Sequence, residues 1–401
     1  MPEIWYNCFY RLINAVYFAR ITLIHPERLP QNGPVLYLGL HRNGAVDGFV
    51  YHQVLRQPVF MISTQLRKSW FARLFFHGIA VTRNKDEGDR NQNEAALRQC
   101  LDHLRAGGEL FVLPEGTSSL GPRHLPFKNG AVWLLLDYLR AGGPPLRVVP
   151  LGIHYECPWA FRSKVEVVVG PAIPTDMPAG SSQIECVRVM KRRIQTALEE
   201  VGISVVSAEY QDMIQRLAYA ATLATRRSYF ETLKLLERAF PEEILTAWKS
   251  LEPEMRSRKL LFHQGVPLFP MSPLALYASA LLVLGPLVLA AIAVNLPPVL
   301  AGWFAGKKFP DDSNVISLWK ILVGVPLFVL WAAAVVFVLL LMGKPLWSAG
   351  YLLLTWTGLK LYYRVKKLAV AVHNGLLCPE LKARTLAFRE TLLRVLPDEA
   401  A

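Results

Sequence analysis

A histidine closes one apolar run of this chain, and an aspartate follows six residues later: Leu38-Gly39-Leu40-His41-Arg42-Asn43-Gly44-Ala45-Val46-Asp47-Gly48. These residue types suit proton transfer. A carboxylate held against one imidazole nitrogen fixes the tautomer and frees the other nitrogen to take a proton. Taken alone, the same residues also suit a structural turn. A second segment supplies context: Phe111-Val112-Leu113-Pro114-Glu115-Gly116-Thr117-Ser118-Ser119, then Phe127-Lys128-Asn129-Gly130-Ala131. An apolar run entering Pro-Glu-Gly-Thr makes a tight loop with backbone N–H and hydroxyl donors for an anion. Lys128 or Arg123 can add positive charge. The same run also reads as a strand–loop–helix corner capped by Thr or Ser.

The elements that must position these residues follow from the apolar pattern. Strands are predicted over Val35–Gly39, Val59–Ile62, Ile79–Thr82, Leu110–Leu113, Arg147–Leu151 and Val165–Val169. Helices are predicted over Asn93–Leu104, ended by Gly107-Gly108, and over Phe127–Leu139. The alternation gives an α/β domain with a mixed sheet flanked by helices. It places His41 at the carboxyl end of a strand, where such folds build sites.

Ahead of this domain, Met1 to Ile24 reads as a helix with Trp5, Phe9, Ile13, Val16 and Tyr17 on one face. It suits either a membrane interface or packing on the domain that follows. From Ser181 to Lys259 the chain reads as helical, and the Arg188, Lys191, Arg192, Arg193 group as a solvated helix face. Ser272 to Gly306 and Ile321 to Gly343 hold no charged residue. Each exceeds the ~20 apolar residues that cross a bilayer. The expected organisation is an N-terminal amphipathic interfacial helix (1–29), a catalytic domain (30–180), a helical extension (181–271) and two transmembrane helices (272–343). A re-entrant or interfacial segment with a basic tail follows (344–401). Leu346–Leu359 reads as a third span or as that re-entrant or interfacial helix.

The net charge of +13 and the 52% hydrophobic content fit anionic lipid better than nucleic acid, for which no motif is present. Arg256, Arg258 and Lys259 precede the spans, and Lys360, Arg364, Lys366, Lys367 and further basic residues follow them. The positive-inside rule then places both flanks, and the catalytic domain of this integral membrane protein, in the cytoplasm. The five cysteines show neither a paired spacing nor a metal motif.

Together the motifs resemble the glycerol-3-phosphate and lysophosphatidate acyltransferase superfamily. The likeness rests on His-Arg-x-x-x-x-Asp after a strand, Pro-Glu-Gly-Thr-x-Ser, Phe-Lys-x-Gly-Ala, Val148-Val149-Pro150-Leu151-Gly152-Ile153 and Ile79-Ala80-Val81-Thr82-Arg83. It covers roughly Pro30 to Pro174. The resemblance implies direct acyl transfer from a thioester of coenzyme A or acyl carrier protein to a glycerol-phosphate hydroxyl, with no cofactor. His41 would be the base and Asp47 its orienting partner. Glu115, Gly116 and Thr117 would bind the acceptor, and Arg83 would bind its phosphate; Arg42 and Lys128 are further candidates for the phosphate.

Three departures stand out. Five residues separate His41 from Asp47 where the family has four, and Gly44 or Gly48 can absorb the extra one. Ser118 replaces a common Arg. Ser63 or Thr64 stands where the family has a Lys, with Arg67 and Lys68 slightly later. Two other classes compete. A serine hydrolase needs Gly-x-Ser-x-Gly, which the chain lacks. A non-catalytic lipid-binding protein explains the charge and the spans but not the aligned motifs. Within the acyltransferase reading, a lysolipid-remodelling enzyme with a phosphate-free acceptor is the alternative.

Overall fold

A computed structural model describes residues 2–56, 58–67, 70–82, 92–178 and 180–396. The chain divides into two compact units. The first is Met1–Ala15, Ile21–His154 and Val165–Ser204; the second is Val16–Arg20, Tyr155–Lys164 and Val205–Ala401.

The first unit is built on a seven-stranded mixed sheet of β1 (Arg20–Ile24), β2 (Val35–Gly39), β3 (Val59–Ser63), β4 (Ile79–Val81), β5 (Glu109–Val112), β6 (Arg147–Tyr155) and β7 (Lys164–Val169), in the order β1-β7-β6-β2-β5-β3-β4. Strand β2 lies at the centre, parallel to both neighbours: Leu36 is in register with Leu110 of β5 and with Val148 of β6. Val35, Leu36, Tyr37 and Leu38 are all buried, as a parallel strand covered on both faces requires. Strand β3 is parallel to both β5 and β4, so β2, β5, β3 and β4 send their carboxyl ends to one edge.

Helices α1 (Pro2–Tyr17), α2 (Val46–Val54), α3 (Trp70–Phe75), α4 (Gln92–Arg105), α5 (Gly130–Arg140) and α6 (Gln183–Val201) complete the unit. A capping box starts α6: the Ser182 hydroxyl accepts the Glu185 N–H, and the Glu185 carboxylate accepts the Ser182 N–H.

The predicted strands all form, with shifts of a few residues at their ends. The N-terminal segment departs from expectation in where its helix ends, and of the two settings left open for that helix the structure shows packing on the domain. Its helix stops at Tyr17, and Arg20–Ile24 turns into edge strand β1 rather than continuing the helix. The helix also packs on the unit: Tyr10 donates to the Phe75 carbonyl at 2.7 Å, Asn14 donates to the Phe49 carbonyl at 2.7 Å, and Ile13 is fully buried. Ile4 and Trp5 remain exposed, so an interfacial role is left to that end alone.

The second unit is helical: α7 (Ala208–Ala221), α8 (Tyr229–Arg238), α9 (Glu242–Ser257), a two-strand hairpin of β8 (Phe262–His263) and β9 (Val266–Pro267), then α10 (Leu274–Val294), α11 (Leu296–Lys308), α12 (Ile316–Leu341), α13 (Pro345–Leu377) and α14 (Pro379–Val395). Two helical stretches, Leu274–Val294 and Ser313–Leu341, are long and apolar enough to cross a membrane. They do not follow one another as an up–down pair, because α11 occupies the chain between them. Gly302 and Gly324 bring α11 against α12, and Trp331 donates to the Val294 carbonyl at 2.8 Å. Gly358 of α13 lies against Ala291 of α10, and Gly375 lies against Pro270 just before α10. Helix α11 therefore runs antiparallel to α12, and α10 to α13.

The chain reverses at Asn295, which is buried in this apolar setting but fully partnered. Its amide donates to the Ala291 carbonyl (2.9 Å) and to the Thr355 hydroxyl (3.0 Å), and its carbonyl accepts from Tyr351 (2.7 Å). The resulting hairpins, α10–α11 and α12–α13, point their turns the same way.

Candidate active site

The loop leaving β2 brings His41 and Asp47 together. Gly44 adopts a left-handed backbone (φ +56°), and a tight turn follows in which the Asp47 N–H reaches the Gly44 carbonyl at 3.2 Å. Of the two glycines, Gly44 and not Gly48 is the one that uses the left-handed backbone. The turn delivers Asp47 to the first turn of α2, with its side chain directed back at the loop.

Asp47 Oδ2 accepts the backbone N–H of Arg42 (2.6 Å) and of Asn43 (2.9 Å) and lies 3.0 Å from His41 Nδ1. Asp47 is fully buried, while the His41 side chain keeps 13% of its exposure. A carboxylate oxygen that already accepts two amides can only accept from His41 as well, so Nδ1 carries the hydrogen and Nε2 the lone pair. Below the pair, the Tyr51 hydroxyl donates to the Leu40 carbonyl at 3.0 Å. Burial pushes that hydroxyl well above its ordinary pKa, with the nearby acids Asp47 and Glu115 adding to the shift.

Strand β5, the parallel neighbour of β2, delivers the second loop. Glu115 is buried and faces inward: Oε1 accepts the His41 N–H at 2.9 Å and Oε2 the Leu125 N–H at 3.1 Å. Burial raises its pKa, opposed by those two amides and by the Arg42 charge. The Ser119 N–H returns to the His41 carbonyl at 3.1 Å, so the second loop grips His41 by both main-chain groups. Gly116 has φ +67°, and a Cβ there would stand 2.7 Å from Lys128 Nζ; the lysine ammonium therefore lies over this glycine. The Lys128 N–H bonds to the Pro114 carbonyl at 2.9 Å, and Thr117 is half-buried in the same loop.

Arg42 reaches under the loop, where Nη2 donates to the Gly121 carbonyl at 2.8 Å and Nη1 is buried without a hydrogen-bond partner. Burial lowers its pKa, while Glu115 and Asp47 push it back up.

The structure thus gathers His41, Asp47, Arg42, Glu115, Gly116, Thr117 and Lys128 at the carboxyl edge of two adjacent parallel strands. Arg83 lies outside the described residues; the strand before it, β4, ends on that same edge. Tyr51 and the clamping amide of Ser119 were not singled out from sequence. Tyr51 had one signal, its position four residues beyond Asp47 on the same face of α2. The Ser119 contact is made by main chain and left none.

A family model described as Acyltransferase matches residues 20–154. Glycerol-3-phosphate O-acyltransferase 2 of Saccharomyces cerevisiae is 30% identical over 119 residues, covering 28% of this chain and 16% of that protein. A 1-acyl-sn-glycerol-3-phosphate acyltransferase of Chlamydomonas reinhardtii is 28% identical over 173 residues, covering 40% and 49%. The chain thus spans less than half the length of either relative. The solved lysophosphatidate acyltransferase PlsC of Thermotoga maritima aligns at 20% identity with a TM-score of 0.31, over 45% of this chain and 72% of that one. Residues 20–154, which carry the Acyltransferase family match, also hold the His41 and Glu115 loops, and this stretch is similar to glycerol-3-phosphate and 1-acylglycerol-3-phosphate acyltransferases.

Proposed function

We propose that this membrane protein transfers a fatty acyl group from an acyl thioester to a hydroxyl of glycerol 3-phosphate or 1-acylglycerol 3-phosphate. The observation that supports this most is the His41 Nδ1–Asp47 Oδ2 contact of 3.0 Å beside the Glu115–Gly116–Thr117 loop. Nε2 of His41 takes the hydroxyl proton as the oxygen attacks the thioester carbonyl. The tetrahedral adduct collapses, the C–S bond breaks, and the thiolate takes the proton back from the imidazolium. Protons balance within the step, and no acyl-enzyme or cofactor enters. Asp47 fixes the tautomer and stabilises the imidazolium; general-base assistance of this kind contributes ~10²–10⁴-fold.

Arg83, Lys128 and the unpartnered Nη1 of Arg42 are the groups proposed to hold the acceptor phosphate, with the Gly116–Thr117 loop beside them. Glu115 would serve the acceptor indirectly, by fixing both loops. The donor is a thioester of coenzyme A or acyl carrier protein, and the catalytic domain faces the cytoplasm with the basic flanks.

Purified protein should be assayed with one acyl thioester against glycerol 3-phosphate, lysophosphatidate and a lysolipid without phosphate. Turnover of the first two, and far less of the third, is expected. Preference for the third would make this a lysolipid-remodelling enzyme.

A further inference from the structure

A cavity of about 360 Å³ lies wholly within the second unit, among α7, α9, β9, α10, α13 and α14. This falls at the lower end of the ~300–1,000 Å³ range of small-ligand sites. Its walls are apolar, with Trp248, Leu251, Met255, Leu284 and Phe388 among them. Leu284 and Tyr277 belong to α10, which is long and apolar enough to cross a membrane.

The charged residues of the lining are Arg364, Lys367 and Arg389, and the lining contains no acid. Among the described residues none of the three is in an ion pair. Arg389 donates to the carbonyls of Ala220 (3.4 Å) and Leu223 at the end of α7, which fixes its guanidinium. The Lys367 ammonium lies 5.8 Å from the Tyr363 ring centre. Arg364 is exposed and marks the mouth. Inside, the Thr385 hydroxyl oxygen is buried without a hydrogen-bond partner.

An apolar cavity rimmed by three cations, with no acid in its lining (Glu156 and Glu390 act on Lys367 and Arg389 from outside it) and with an orphaned hydroxyl, is expensive to leave as it stands. One occupant meets all of these demands. We infer that the cavity binds a single-chain lipid anion: one alkyl chain among Trp248, Leu251, Met255 and Phe388, with its carboxylate or phosphate at Arg364, Lys367 and Arg389. At about 360 Å³ the cavity suits one alkyl chain better than the two of a bilayer phospholipid. The neighbouring helix α10 supplies the route in from the membrane.

The test uses the full chain in phosphatidylcholine nanodiscs, with palmitic acid bearing a diazirine near its chain end as the probe. It is run in wild type and in His41→Ala, so that turnover plays no part. Crosslinks should map to residues 248–255 and 364–389 in both chains. Palmitate and 1-palmitoyl lysophosphatidate should displace the probe, whereas uncharged monopalmitoylglycerol should not. Whichever anion displaces at lower concentration identifies the headgroup as carboxylate or phosphate. Arg364→Gln/Lys367→Gln, at an unchanged melting temperature, should weaken binding about tenfold (about 1.4 kcal/mol). Leu251→Trp, which fills the cavity, should abolish it. Crosslinks confined to the outer faces of α10 and α12, equal displacement by the uncharged lipid, or unweakened binding by the folded double variant would each overturn the assignment.

Discussion

The Glu115 carboxylate holds the backbone N–H of His41 at 2.9 Å with one oxygen and that of Leu125 at 3.1 Å with the other. Two loops from neighbouring strands thereby become one frame, and the His41 ring is aimed by a residue that does no proton transfer itself. A buried amide left without an acceptor costs about 1–3 kcal/mol. Glu115→Ala should therefore lower the melting temperature and reduce kcat. Glu115→Gln, which sets an NH2 against one of the two amides, should fall between the two. Unfolding scans and steady-state kinetics on the three proteins check this ordering. An alanine variant with wild-type stability and turnover would contradict it.

Much of this frame is legible in the residues, and the rest is hidden for physical reasons. Strand β2 can be read to the residue because a five-residue apolar run between Pro34 and the His41 loop has no competing helical period. Strand β1 was hidden because Arg20–Ile24 continues the apolar spacing of the helix before it. Helix α11 was hidden because Leu296-Pro297-Pro298 reads as a stop, whereas prolines in a first turn begin a helix as readily as they end one. The inward direction of Glu115 depends on main-chain partners from two loops, and side-chain types do not report those.

The hairpins of the second unit predict a specific topology. Because α11 runs antiparallel to α12 and α10 to α13, the segment around Asp311 is expected on the side where α10 begins and α13 ends, and the Gly343–Lys344 turn on the opposite side. Two simple crossings by α10 and α12 would instead put Asp311 on the far side. Asp311→Cys and Lys344→Cys, probed with a membrane-impermeant maleimide in sealed vesicles against reporters at the two termini, separate these arrangements. Asp311 should label with the termini and Lys344 should not. The reverse pattern would refute the paired hairpins.

A half-buried and a buried histidine, His52 and His263, set a pH dependence of stability. Burial, with Arg11 and His77 adding, pulls His52 from 6.5 to about 4. Burial, with Lys366, Lys367 and Lys164 adding, pulls His263 to about 3. In each case the unfolded chain takes up a proton that the folded one refuses. Their stabilising effect is therefore complete above about pH 6.5 and is lost as pH falls toward 4 and 3. The melting temperature should drop between pH 7 and pH 4.5, and His52→Gln should flatten that slope. Parallel slopes for wild type and variant would count against the assignment.

Strand β4, which precedes Arg83 in the sequence, lies three strand spacings or about 14 Å from β2 in the sheet. A long cationic side chain from that position suits the phosphate of an acceptor whose hydroxyl lies at His41. Arg83→Ala should raise KM for glycerol 3-phosphate or lysophosphatidate about ten- to a hundredfold, leaving KM for the thioester unchanged. An equal effect on a phosphate-free acceptor would remove Arg83 from phosphate recognition.

The central claim is that His41 is the base and Asp47 its orienting partner, and single-turnover acyl transfer measures it most directly. Folded His41→Ala, with an unchanged melting temperature, should lose about 10²–10⁴-fold in the chemical step. Asp47→Asn should lose less than His41→Ala but still be severe, because an amide in place of the carboxylate can no longer fix the tautomer. A folded His41→Ala protein that keeps more than about a tenth of wild-type transfer would contradict the account, since ~10²-fold is the least a general base contributes.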